Sequence, residues 1–361
     1  MRNVDKQTAK PAGESRFKPH RAGGLAICLT CAALFAGMTV GQPQKAPESP
    51  KDTFLRFSGN PLLDGPKLGL RRIMFPSVIR VPEWVKQPKG KFYMYYAEHS
   101  GTSIYVAAAD RPEGPWKPLP DPVLTIDRTP FPDHISSPDV LVVPEQKRFY
   151  LYFHGAYLDL PEYGYKREQP ASVTISDDPL HFPASKVIIA TPGVNFAYFR
   201  AFRRDGWFYA IGRQQRLFRS RDAVHWEGGP YLLSWDRFGD LTREYPLALS
   251  SKEITGRTIH AGLVVHPEDQ TLDCYFSLKD ETGVSLQKVR ISTRGDWLGW
   301  APVEMPVRAL TAGDPLDALP DGAAYVRDPF VLAEEGRLYL YYVAGPEKYI
   351  CLATSKAQVG D

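Results

Sequence analysis

The chain has 361 residues, with 44 Lys and Arg against 41 Asp and Glu, a formal net charge of +3. That near balance, part of it contributed by a basic N-terminus, gives no reason to expect nucleic acid as a partner. Hydrophobic residues at 43% and charged residues at 24% make a globular composition. The 19 Tyr, 18 Phe, 7 Trp, 33 Pro and 29 Gly suit many short strands joined by tight turns better than helices.

In chain order, residues 1–50 fall outside the predicted fold. Lys6, Lys10, Arg16, Lys18 and Arg21 precede an apolar run from Leu25 to Val40, and a polar, proline-containing linker follows from Gln42 to Pro50. A basic segment, an apolar segment and small residues near Gly37 or Gly41 describe a secretory signal, so the mature protein is expected to be periplasmic or secreted. The apolar run is shorter than the roughly 20 residues of a membrane span. An uncleaved N-terminal anchor is the alternative. Cys28 and Cys31 would leave with the signal. Cys274 and Cys351 remain, a pair that permits one disulfide without demanding it.

From Lys51 to Asp361 one grammar recurs five times: a short apolar strand, a tight turn, an aromatic-rich strand, then a third strand. The first two strands of each unit are Pro76–Arg80 with Lys91–Tyr96, Pro138–Val143 with Arg148–Phe153, and Phe199–Arg203 with Trp207–Ile211. His260–Val265 with Thr271–Ser277 and Asp328–Ala333 with Arg337–Val343 complete the series. Third strands are expected at Ser103–Ala108, Ala171–Ser176, Gln215–Ser220, Val284–Ile291 and Tyr349–Ala353. Anchored on Ser77, Asp139, Arg200, His260 and Asp328, the units step by 62, 61, 60 and 68 residues. A meander repeating about every 60 residues is one propeller blade per unit, which predicts an all-β, five-bladed β-propeller. The leftover segment Phe54–Leu63 is assigned to completing the last blade.

The innermost strand of each blade lines the central channel. Its opening positions here carry Ser77, Asp139, Arg200, His260 and Asp328, on strands that otherwise run apolar, such as Val140–Val143, Leu263–Val265 and Phe330–Leu332. Charges in a buried ring are costly unless paired or used, so the ring reads as a site. The bland alternative is that Arg200 and His260 neutralise the two aspartates and staple the blades together. Glu98, His99, His134, Tyr198 and Arg327 flank the ring in sequence and are expected to bind substrate with Ser77 and Arg200. Two carboxylates, several imidazoles and guanidinium groups equip a pocket for acid–base chemistry on a polyol. No HxH or HExxH spacing argues for a transition metal. No cofactor is called for, and an axial or structural Ca²⁺ is left open. The aspartates of Ser176-Asp177-Asp178-Pro179 and Ser220-Arg221-Asp222 read as structural turns at the outer edge.

At these residues the chain resembles the five-bladed propeller glycosidases, a superfamily of arabinanases, β-xylosidases, invertases and mannoside phosphorylases. Gly59-Asn60-Pro61-Leu62-Leu63 is similar to their entry strand. Ser137-Pro138-Asp139-Val140 and Arg327-Asp328-Pro329-Phe330-Val331 are similar to their blade openings, and Asp110–Trp116 and Ser176–Pro179 to their outer turns. The resemblance implies three acidic groups: a base or nucleophile, an acid, and an Asp that tunes the acid. Asp139 and Asp328 match two of them, while Ser77 stands where blade one would carry an acid. A branch similar in pairing a His with two Asp, the neoagarobiose hydrolases, implies the roles assigned here: Asp139 as base, His260 as general acid and Asp328 as orienting acid. The expected activity is inverting hydrolysis of an oligo- or polysaccharide, with the neighbouring Asp keeping His260 protonated. Two other readings stay open: a non-catalytic carbohydrate-binding propeller, and a polysaccharide lyase using His and Tyr198.

Overall fold

The computed structural model describes residues 53–155, 158–160, 165–183, 188–189, 198–239, 260–280, 283–319 and 325–355. The proposed signal and linker lie outside the described residues. Among the described residues five antiparallel sheets of four or five strands follow one another along the chain, a separate two-stranded sheet pairs Leu158–Leu160 with Tyr165–Glu168, and every helix is a single 3-10 turn. The inner strands are Ile73–Arg80, Ile135–Val143, Arg200–Arg204, Ala261–His266 and Val326–Glu334, with the rest of each sheet stepping outward. The last blade is completed by the N-terminal strand: Phe54–Arg56 pairs with Tyr349–Ser355 from Phe54↔Ser355 to Arg56↔Ala353. Leu63–Asp64 pairs with the same strand. The first and last parts of the domain therefore share one sheet, as the leftover segment predicts.

The second strands read as unbroken apolar runs because neighbouring blades cover both of their faces. In Phe92–Glu98 all but the last residue is buried, as are all but the first in Arg148–Gly155 and Arg337–Ala344. The core accordingly divides into five clusters, one between each pair of neighbouring blades, including one between blade five and blade one. Blades four and five approach so closely that a Cβ at Gly262 would lie 3.2 Å from the Pro329 carbonyl. The outer turns are structural, as expected: Asp222 Oδ1 accepts from the amides of Val224 at 2.9 Å and His225 at 2.7 Å. Asp178 Oδ1 accepts from Leu180 N at 2.9 Å. Cys274 and Cys351 are both free, buried thiols in different sheets, so the disulfide that the sequence permits does not form.

Candidate active site

Three inner strands begin earlier than predicted, at Ile73, Ile135 and Val326, and each passes through a bulge near its start. Phe75, Ser137 and Asp328 sit in these bulges with φ of 65°, 56° and 52°, and each is followed by proline. Tyr198 holds the same conformation, at φ 71°, just ahead of blade three's inner strand. A left-handed non-glycine residue is strained, and its recurrence in four blades makes it part of the architecture. The bulge corrects the alignment of the repeats. Opposite the second strands, Ser77 pairs with Tyr95, Asp139 with Tyr152 and Phe330 with Tyr341, so Phe330, not Asp328, is the equivalent of Asp139. The five residues predicted as one ring therefore occupy two levels.

The deeper level is Ser77, Asp139 and Arg200, with Phe330. Asp139 Oδ1 lies 3.3 Å from both Ser77 Oγ and Arg200 Nη1, and Oδ2 accepts from the Ala201 amide at 2.8 Å. Ser77 Oγ in turn accepts from Val140 N at 3.1 Å. Arg200 donates to three carbonyls, of Ala261 at 2.9 Å, Pro138 at 3.0 Å and Pro76 at 3.1 Å, and stacks on Phe330 at 5.4 Å. These bonds join blades one to four through buried side chains. Burial raises the Asp139 carboxyl against the pull of Arg200, Ala201 and Ser77, and lowers the Arg200 guanidinium. Both carboxylate oxygens of Asp139 are engaged, an arrangement that fits the staple reading.

Four of the bulge-level residues, Phe75, Ser137, Tyr198 and Asp328, converge on His260, so all five blades contribute. His260 Nδ1 lies 2.5 Å from Asp328 Oδ1, and Nε2 lies 3.3 Å from Ser137 Oγ. The imidazole is 4.2 Å from the Tyr198 ring and 4.9 Å from the Phe75 ring, centroid to centroid. His154 stands behind Tyr198 at 4.7 Å. Burial dominates here: it lowers His260 to about 4 despite Asp328, and drives His154 well below the usual histidine range. The sequence-based expectation that a neighbouring Asp keeps His260 protonated is thus overturned by desolvation. Burial alone would raise Asp328, but Arg327, at 3.0 Å, and His260 hold it well below the usual carboxylate range.

A second imidazole–carboxylate pair stands beside the first. His99 Nδ1 is 2.8 Å from Glu347 Oε2, and the His99 ring is 6.2 Å from Phe75. Arg327 links the pairs, contacting Asp328 through Nε and Glu347 through Nη1 at 3.3 Å, with Tyr325 Oη at 2.5 Å from Nη1. Arg72 closes the group at 3.6 Å from Glu347. Burial works to raise Glu347, but the bond to His99 and the charges of His99 and Arg327 lower it overall. The first pair is almost solvent-free, whereas the His99 side chain keeps 38% of its exposure.

Of the remaining predicted residues, His134 pairs with Asp133 at 2.5 Å and reaches the cluster through His154, ring to ring at 5.7 Å. Glu98 accepts from the Arg71 amide at 2.8 Å, and its carbonyl accepts from Ser136 Oγ at 2.8 Å. Sequence reasoning missed Phe75, Ser137, Arg72, His154, Tyr325 and Glu347. The shared X-Pro at 75–76, 137–138 and 328–329 was the available signal for the first two. Nothing local marks Glu347, which lies in the turn between two strands of blade five. Among the described residues no group of three His, Cys, Asp or Glu is placed to hold a metal ion.

No family model matches the chain. Among curated proteins, uncharacterized protein R118 of Acanthamoeba polyphaga mimivirus is 26% identical, across 82% of this chain and 88% of its own length. A GH43_1 enzyme from Xanthomonas citri, solved with xylotriose, superposes with a TM-score of 0.56 at 15% identity, over 84% of this chain and 90% of that one. A glycosyl hydrolase from Bacteroides ovatus gives 0.57 at 11%, over 84% and 95%. An alpha-L-arabinofuranosidase from Lactobacillus brevis gives 0.54 at 10%, over 82% and 92%. At such identities the likeness establishes the fold, and the chain shares the five-bladed propeller architecture of these structures.

Proposed function

We propose that the protein is a glycoside hydrolase whose funnel works with two imidazoles where the resemblance implies three acidic groups. The observation that carries this reading is the pair of His–carboxylate contacts, His260–Asp328 and His99–Glu347, bridged by Arg327 beside Phe75. The likeness in fold to solved glycoside hydrolases, one of them holding xylotriose, supports carbohydrate as the substrate. His260, neutral by burial, is the base that takes a proton from water, and anionic Asp328 stabilises the imidazolium that forms. His99, more exposed and seated on Glu347, delivers a proton to the leaving oxygen. A base and an acid on two separate imidazoles are the division of labour that inversion at the anomeric carbon requires.

Purified protein supplied with neutral and acidic oligosaccharides is expected to release reducing ends, with inversion visible by proton NMR. His260→Gln and His99→Gln should each lower kcat at least about 100-fold, the scale of a lost acid or base, while melting stays cooperative. Undiminished turnover in folded His260→Gln would remove the proposed base. One observation favours a second reading. The Tyr198 ring packs on His260 at 4.2 Å, with the Arg213 guanidinium 5.9 Å from the same ring, an arrangement suited to β-elimination from a uronate. A lyase yields an unsaturated sugar absorbing in the ultraviolet, and a non-catalytic binder yields no product at all.

A further inference from the structure

The turn Arg213–Gln215 joins the second and third strands of blade three beside Tyr198. It holds two successive non-glycine residues in the left-handed region, Gln214 at φ 61° and Gln215 at φ 53°. Backbone bonds fix it, from Gly212 N to Arg216 O and from Leu232 N to Gln215 O, both 2.9 Å. Backbone strain held by its surroundings in this way gathers at ligand sites.

Two side chains of this turn are left unused. The Gln215 carboxamide is fully buried, yet neither its nitrogen nor its oxygen has a hydrogen-bond partner among the described residues, an arrangement that native interiors rarely tolerate. Arg213 is half-buried and stacks over Tyr198, whose other contacts include His260 and His154. Among the described residues no carboxylate lies within ion-pair distance of Arg213. The other guanidinium groups described in the funnel are compensated: Arg200 faces Asp139, Arg72 and Arg327 face Glu347, and Arg327 also faces Asp328. Within this described set, Arg213 thus adds an uncompensated positive charge one aromatic ring away from the proposed base.

We propose that Arg213 reads a carboxylate on the sugar, so that the substrate is a glycan containing uronic acid. The inference rests on the funnel being a carbohydrate site. A guanidinium matches a planar carboxylate through two parallel N–H donors, which an ammonium does not reproduce.

The test is calorimetric binding to the full chain of two acidic oligosaccharides, each beside its neutral counterpart. These are glucuronic acid-substituted against plain xylo-oligosaccharide, and oligogalacturonate against galacto-oligosaccharide. At least one acidic form should bind about 10- to 100-fold tighter than its neutral partner, the scale of a charge-assisted hydrogen bond. The preference should shrink as salt rises. Arg213→Gln should abolish it with melting unchanged, and Arg213→Lys should keep part of it. Equal affinity for acidic and neutral forms, or a preference that survives Arg213→Gln, overturns the inference and leaves the carbohydrate reading standing. Binding of none of the four overturns both.

Discussion

Replacing Asp139 by asparagine separates a staple from a catalytic base, because the two roles predict opposite outcomes. The carboxylate faces Arg200, and both side chains are about 5% exposed. The substituted carboxamide could still accept from Ala201 N, and Arg200 would keep its three carbonyl partners. What disappears is the counter-charge of a guanidinium that cannot shed its proton. Breaking one side of a buried ion pair costs about 3–5 kcal/mol, and the surviving bonds place Asp139→Asn near the lower end. Asp139→Ala also frees the Ala201 amide and the Ser77 hydroxyl, which moves it toward the upper end. Either is a large part of the roughly 5–15 kcal/mol that holds a domain together. Denaturant titration should show a lower midpoint with an unchanged slope. Asp328→Asn should cost less stability, because Arg327 retains Glu347 and Tyr325, but should abolish turnover. An Asp139→Asn protein as stable as the parent but inactive would refute the staple and return Asp139 to the chemistry.

Acid should destabilise the protein through His260. Its folded pKa of about 4 lies below the ordinary 6.5, so its contribution is fully present above pH 6.5 and is lost as the pH falls toward 4. The shift is worth about 3 kcal/mol, and His260→Gln should flatten denaturant midpoints measured between pH 7 and 4. If His260 is the base, the acid limb of the activity profile falls in the same window. Cys274 and Cys351 are buried, with burial raising both thiols, so a thiol reagent should modify neither until the protein unfolds. Rapid labelling of the native protein would contradict the placement of these two residues.

Five repeats near 60 residues, aromatic second strands and an orphan first strand are enough to define the architecture. They are local patterns repeated at equivalent places, and a ring of sheets is the arrangement that buries both faces of each second strand. The conversion of Asp222 and Asp178 into turn caps is also legible, because those bonds close within a few residues. The site is only half legible. Asp328 and His260 stand out as charges on apolar strands, but a strand reading that counts residues evenly cannot see a bulge. Even counting therefore puts Asp139 and Asp328 in one ring, whereas Asp139 lies at the deeper level with Arg200 and Asp328 at the bulge level with His260. Glu347 joins Arg327 across 20 residues of chain, and Ser137 meets His260 across 123, distances over which no spacing rule operates. The protonation of His260 is decided by tertiary structure for the same reason. Sequence shows which charges are near in the chain, but only the packed blades determine how much water is left around them, and desolvation outweighs the neighbouring carboxylate.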